Sequence, residues 1–181
     1  MRIAVSIGHH PTAPGAKALS GVDEYALVAP VAGFLIRYLH EAGAEAYMVP
    51  TGNLGSKVDW VNRGGGMGYD LVLEVHGNAD PDKDGPADPE ARGCEVLYCN
   101  GSRKGEHYAR VIQDTMVRRL GVRDRGAKPA GFFWLRKTRW PAVIVEPAFL
   151  DEAQGNAILS SEPHVIAQAI ARGVLACLQG R

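Results

Sequence analysis

Residues 70–78 read Asp-Leu-Val-Leu-Glu-Val-His-Gly-Asn, and residues 141–150 read Pro-Ala-Val-Ile-Val-Glu-Pro-Ala-Phe-Leu. Each is a nearly unbroken apolar run ending on a residue that can do chemistry, His76 in one and Glu146 in the other. Runs of Leu, Val and Ile without polar alternation mark strands covered on both faces, as in parallel sheets. Residues 2–7 repeat the pattern and lead into Gly8-His9-His10. Residues 44–50 and 94–99 read as further strands. Residues 132–135, Phe-Phe-Trp-Leu, read as another, with residues 142–146 forming the last.

Helical stretches separate these runs. Residues 22–42 place Leu27, Val31, Leu35 and Leu39 on one side and stop at Gly43, while Pro30 inside them implies a kink or a later start. Ser56-Lys57-Val58-Asp59 has capping-box-like spacing and opens a short helix that ends in the glycines of residues 63–68. Those glycines follow a helix rather than a strand and lack the Lys-Ser/Thr of a phosphate loop, so they terminate a helix and do not bind nucleotide. Ser102 caps a helix running to Leu120, and residues 164–178 form a closing helix. The alternation predicts an α/β fold: one domain over residues 1–181, with a mainly parallel twisted sheet and helices on both faces. No internal repeat or linker marks a separate wall-binding or other domain.

The composition narrows the function. The 181 residues carry 20 basic and 20 acidic side chains, so the formal net charge is zero and no global field draws the chain to nucleic acid or anionic membrane. No apolar run is long enough to span a bilayer. No signal peptide is visible, which implies synthesis and retention in the cytoplasm until release. Cys94 and Cys99 are an odd number of residues apart on one strand and face opposite ways, and with Cys177 they read as thiols in a reducing compartment.

The candidate chemistry falls at strand ends, where open α/β sheets bind ligands. His9 follows the first strand, His76 ends the third and Glu146 ends the last, while Glu24 lies in the first turn of the helix leaving the first strand. Two imidazoles and a carboxylate, with a fourth position open, are the usual make-up of a catalytic zinc site. Each residue also has a plainer reading. His9 suits an exposed turn, and Glu24 beside Asp23 suits a helix dipole. His76 and Glu146 each end an apolar run, where a polar group needs a partner or a function.

The ordered motifs resemble the zinc-dependent N-acetylmuramoyl-L-alanine amidase family of cell-wall amidases and phage endolysins. IGHHPTAPGA places His9 six residues before Gly15-Ala16, and Glu24 stands at the start of the next helix. LEVHGNA resembles the family's Ser-x-His-x-Asn strand end at His76 and Asn78. GCEVLY matches its Gly-x-Glu-x-x-Tyr segment, and PAVIVEPAFL its last motif. The resemblance implies one zinc ion held by His9, Glu24 and His76, with Glu146 as the catalytic carboxylate that moves the proton from water to the leaving amine. It names the scissile bond as that between muramic acid and L-alanine of peptidoglycan.

The chain departs from the family at three places. His10 replaces a glycine and competes as a ligand, though the spacing to Gly15-Ala16 favours His9. Glu74 replaces a serine on the same strand face as His76. It reads as a partner orienting an imidazole or as a buried carboxylate satisfied elsewhere. Pro147-Ala148 replaces a Thr/Ser-Gly pair and alters the pocket floor. Asn78 either meets substrate or holds its loop. Arg136 either meets stem-peptide carboxylates or belongs, with the other basic residues of 118–139 and the acidic ones of 80–90, to a solvated face. His40, His107 and His164 read as surface residues of helices.

Residues 77–93 are too rich in Asp, Pro and Gly for a site-plugging helix. The expectation is therefore a single-domain, endolysin-like enzyme with no protein partner implied. A wall enzyme without its signal is the rival origin. The rival activities are a zinc amidohydrolase or carboxypeptidase for small acylated amino acids, and a non-catalytic peptidoglycan-binding relative.

Overall fold

A computed structural model describes residues 1–64, 67–80 and 91–179. The chain order is β1 (Arg2–Ile7), α1 (Glu24–Glu41), β2 (Glu45–Met48), α2 (Leu54–Arg63), β3 (Leu71–Val75), β4 (Cys94–Cys99), α3 (Arg103–Leu120), β5 (Asp124–Ala130), α4 (Phe133–Lys137), β6 (Ala142–Glu146), α5 (Ala153–Ser161) and α6 (Pro163–Gln179). The strands form one six-stranded sheet in the order β2-β1-β3-β6-β4-β5. Strands β2, β1, β3 and β6 pair in parallel, β4 runs antiparallel to β6, and β5 is parallel to β4. The reversal matters for the site. It brings the amino ends of β4 and β5 to the same edge as the carboxyl ends of β1, β3 and β6.

Alternation along each strand splits the core into two layers. Ile3, Val5, Leu73, Val75, Val143 and Val145 pack with α1, α3 and α6 on one face. Ala4, Val72, Leu97 and Ile144 pack with Val58 and Val61 of α2 and Trp134 and Leu135 of α4 on the other. Helices therefore cover both faces, and each fully buried Leu, Ile or Val contributes roughly 1.5–3 kcal/mol. Cys94 joins the first layer and Cys99 flanks the second, opposite faces as their odd separation requires, and all three cysteines are free. His40, His107 and His164 are exposed.

Several elements differ from the sequence expectation. Residues 132–135 do not form a strand: Phe133–Lys137 is a helical turn, held by the Thr138 hydroxyl donating to the Trp134 carbonyl at 3.0 Å. A four-residue aromatic run has no period to distinguish helix from strand. Strand β5, sequence DRGAKPA, was not expected, because it contains Gly and Pro and no β-branched or aromatic residue. An edge position accommodates Pro129. Helix α5 was also not expected. Helix α2 begins before the Ser56 motif, with Asn53 as its cap accepting from the Ser56 N–H at 2.9 Å. Helix α1 starts at Glu24 and continues through Pro30, which lies at an exposed position. The reading of residues 77–93 as a loop falls largely on 81–90, outside the described residues, as do Gly65 and Gly66 of the glycine run.

Candidate metal centre

The site is built at the sheet edge where β1, β3 and β6 end. The ladder continues past the strands there: the Gly8 N–H donates to the Val75 carbonyl at 2.7 Å and the His76 N–H to the Val145 carbonyl at 3.0 Å. These bonds fix the start of the His9 turn and the root of His76. His9 has a φ of 64°, the one non-glycine residue with positive φ among the described residues. Such conformations are strained outside glycine and persist only where surroundings enforce them.

Glu24 reaches the same point from the first turn of α1. Its carboxylate is 3% exposed. One oxygen, Oε1, lies 2.9 Å from His76 Nδ1, and the other, Oε2, lies 3.1 Å from His9 Nε2. The backbone N–H of Gly77 donates to Oε1 at 3.1 Å and that of Ala16 to Oε2 at 3.3 Å. Two glycines clear the space. A Cβ on Gly8 would lie 2.5 Å from the His76 ring, and one on Gly15 would lie 2.5 Å from Glu24 Oε2 and 2.6 Å from the His9 ring.

The donor atoms of His9, Glu24 and His76 all lie within 4.8 Å of one another. Ligands around a tetrahedral zinc ion, with bonds of about 2.1 Å, are separated by about 3.4 Å, so the cluster has the size and chemistry for such an ion. His10 is not part of it. Its Nδ1 instead lies 3.0 Å from the Thr12 hydroxyl.

The electrostatics bind the cluster together. Burial works to raise the Glu24 pKa, but hydrogen bonds from His76 and His9 outweigh it and bring it down to about 2. Burial works to lower that of His76, but Glu24 and Glu74 outweigh it and raise it to about 10.

Beneath the cluster is a buried ionic layer. Glu74, 2% exposed, places Oε2 3.4 Å from His76 Nε2, accepts from the Ser6 hydroxyl at 2.9 Å, and lies 3.5 Å from the Lys57 ammonium. Burial works against its ionisation, but His76, Lys57 and Ser6 hold its pKa below the ordinary value. Lys57, 4% exposed, donates to the carbonyls of Ile7 and His9. Burial depresses its pKa, partly offset by Glu74. Sequence reasoning passed over Lys57 as part of a capping motif. The available signal was its place four residues before the buried Val61 on one helix face.

Glu146 stands beside the cluster. Its Oε2 is buried and has no hydrogen-bond partner among the described residues. Burial pushes its pKa up to about 7; His76 pulls it down, while the carboxylates of Glu24, Glu95 and Glu74 push it further up. Glu95 is its direct cross-strand partner. Asn78 donates from Nδ2 to Glu95 Oε1 at 2.9 Å, and its Oδ1 accepts from the Ala79 N–H at 2.9 Å, so its side chain ties the loop to β4.

A cavity of about 310 Å³ opens on the cluster, lined by His9, His76, Leu54, Phe132, Phe133 and Trp134 among others. Arg136 does not line it. That residue is exposed and borders a different hollow with Cys99, Arg103, Arg139 and Trp140.

Two imidazoles sharing one buried carboxylate, beside a second carboxyl group and near an open cleft, are a donor set that could hold a metal ion. The chain belongs to the N-acetylmuramoyl-L-alanine amidase family, whose model matches residues 3–176. It is 34% identical over 95 residues to N-acetylmuramoyl-L-alanine amidase LytC of Bacillus subtilis, covering 51% of this chain and 18% of that protein. It is 27% identical over 125 residues to the endolysin of Bacillus phage SPP1, covering 65% and 43%. Its fold matches that of N-acetylmuramoyl-L-alanine amidase AmiC2 of Nostoc punctiforme, with a TM-score of 0.87, 25% identity, and coverage of 99% of this chain and 97% of that one. The chain spans at most 51% of the length of the curated relatives it matches. No helix among the described residues is long and apolar enough to cross a membrane.

Proposed function

We propose that the chain hydrolyses the amide bond between N-acetylmuramic acid and L-alanine in peptidoglycan, in the manner of a wall-lysing enzyme. His9, Glu24 and His76 would hold one zinc ion, and Glu146 would act as the catalytic carboxylate. The observation that carries this reading is the pairing of a shared-carboxylate donor cluster with a neighbouring carboxyl group whose pKa is raised to about 7. When bound by these three residues, zinc would supply Lewis acidity toward the amide carbonyl and the attacking water.

The chain's own residues do the rest. Glu146, poised near neutrality with a bare oxygen, takes a proton from water and returns it to the departing amine. Glu74 faces His76 Nε2 while Nδ1 faces Glu24, the arrangement in which a carboxylate fixes an imidazole's tautomer for metal binding. Lys57 keeps the His9 turn in its left-handed conformation and balances the charge of Glu74. The Phe132, Phe133 and Leu54 side chains offer an apolar wall to the substrate.

The test is incubation of the zinc-loaded protein with purified peptidoglycan. Release of L-alanine amino termini without new reducing sugars is the expected result. Turnover confined to small acylated amino acids would replace this reading with that of a general amidohydrolase, and wall binding without hydrolysis would overturn it.

A further inference from the structure

Cations gather at the sheet edge opposite the metal cluster. Cys99 ends β4 and Ala142 begins β6, its antiparallel partner, so both lie at the edge away from Glu146. A hollow of about 510 Å³ opens there, lined by Arg103, Lys104, Arg136 and Arg139 together with Leu135 and Trp140. No carboxylate lines it. The four cationic residues are exposed, and none of their side chains has an ion-pair or hydrogen-bond partner among the described residues. Glu106, the acid in the first turn of α3, is engaged elsewhere: Arg110 donates to it from Nε at 3.1 Å and from Nη2 at 2.8 Å.

The backbone beneath these side chains is fixed. Ser102 caps α3 by accepting from the Gly105 N–H at 3.1 Å, which sets Arg103 and Lys104 in the first turn. Asn62 of α2 accepts from the Arg139 N–H at 2.8 Å and donates to the Lys137 carbonyl at 2.8 Å. Charged ends on an ordered backbone lose less freedom when a ligand arrives. Arg139 also lines a second hollow, with Asp59, Asn62 and Arg63. The two hollows therefore share a residue, and together they present five cations to one carboxylate. The chain's net charge of zero conceals this local excess, and a ligand responds to the local field.

We propose that the two joined hollows bind a chain of phosphodiester-linked polyols carried by the wall, and so dock the domain beside its substrate. A single carboxylate or phosphate is satisfied by one arginine fork. Five cations over joined hollows instead match a polymer with closely spaced anions, and four of the five are arginines, whose planar fork grips two phosphate oxygens. A nucleic acid has the same phosphodiester chemistry, but its bases stack on aromatic side chains. Trp140 is half-buried, with its indole N–H donating to the Val61 carbonyl at 2.9 Å, and no exposed ring lines either hollow. Placing the polymer on the wall rests on the proposed amidase reading, whereas recognition of its phosphates does not.

The experiment is calorimetric titration of the zinc-loaded protein with a short poly(glycerol phosphate), so turnover plays no part. Binding is expected, and raising the salt concentration should weaken it steeply. Arg103→Gln/Arg139→Gln should weaken it roughly tenfold or more. Arg103→Lys/Arg139→Lys should retain most of it, and Arg37→Gln, which removes an exposed cation of α1, should change nothing. A second readout uses Cys99, which lines the first hollow and is half-buried, whereas Cys94 and Cys177 are buried. The polymer should slow its alkylation by iodoacetamide. Absence of binding, or binding unchanged in Arg103→Gln/Arg139→Gln, would overturn the docking surface. Tighter binding of polyglutamate or of an oligothymidylate of equal charge would overturn the assignment to a polyol phosphate. Each of those results leaves the amidase reading standing, because peptidoglycan cleavage is measured separately. Failure of that cleavage would remove the amidase reading, and the calorimetry would still decide whether the hollows bind phosphate.

Discussion

The ammonium of Lys57 donates to the carbonyl oxygen of His9 at 2.8 Å, and His9 is held at a backbone φ of 64°. The same ammonium lies 3.5 Å from Glu74, whose other oxygen faces His76 Nε2 at 3.4 Å. One buried cation thus supports both imidazoles of the cluster. Lys57→Met would leave Glu74 short of its balancing charge and release the His9 turn. Breaking a buried pair typically costs about 3–5 kcal/mol, and losing such a support typically weakens metal affinity about 10–100-fold. Thermal melts and chelator competition measure the two effects separately. The double variant Lys57→Met/Glu74→Gln should recover stability more than zinc affinity, because it removes the stranded charge without restoring the turn. Unchanged zinc affinity in Lys57→Met would sink this account.

Glu146→Gln should bind zinc normally and lose turnover by roughly 10²–10⁴-fold, the usual contribution of a positioned proton-transfer group. His76→Ala should lose both. Metal analysis beside the muropeptide assay separates the two outcomes, and a fully active Glu146→Gln would refute the assigned role.

The raised pKa of Glu146 also makes the metal-free protein's stability depend on pH. Its folded value of about 7 lies above the ordinary 4.5, so the folded state holds the proton more tightly. That contribution is fully present below about pH 4.5 and is lost as pH rises through 7. Metal-free wild type should therefore lose stability relative to Glu146→Gln between pH 5 and pH 8. Parallel melting curves across that range would contradict the assignment.

His76, with a pKa of about 10 in the metal-free cluster, carries a proton at pH 7, while Glu24, at about 2, is ionised. An imidazole must be neutral to bind a metal, so zinc must displace the His76 proton. Apparent affinity should rise about tenfold per pH unit through the neutral range. Calorimetry in buffers of different ionisation enthalpy should report close to one proton released from this residue. Heats independent of the buffer would show that His76 is already neutral.

Gly15→Ala should damage the site beyond its backbone strain. Gly15 and Gly43 have similar φ values, 86° and 81°, but a Cβ on Gly43 meets nothing within 4 Å, whereas one on Gly15 lies 2.5 Å from Glu24 Oε2. Alanine at either position incurs the left-handed penalty of about 1–2 kcal/mol. Only at position 15 should zinc affinity fall as well, and chelator competition on the two variants would show it.

Much of this was legible in the linear sequence. The runs at Leu71–Val75 and Ala142–Glu146 are apolar on both faces, and only a sheet covered on both sides buries such strands. Their terminal His76 and Glu146, with the spacing of His9 to Gly15-Ala16 and of Glu24 to its helix start, marked out the cluster. Strand β5 was not legible, because DRGAKPA lacks every residue type that favours a strand, and its pairing is supplied by β4 alone. The helical turn at Phe133–Lys137 was hidden for a related reason: in so short a run, packing of Trp134 and Leu135 decides the conformation.

The sequence by itself determined the layered α/β class and the four residues that converge at its edge, because periodicity and strand-end placement are local properties. Only the tertiary structure decided how those residues are supported. That Lys57 holds His9 and that Arg125 and Lys128 both reach Glu95 depend on contacts between residues 30 or more positions apart. Such contacts are set by sheet order, strand direction and register, and by buried charges finding partners in the folded chain.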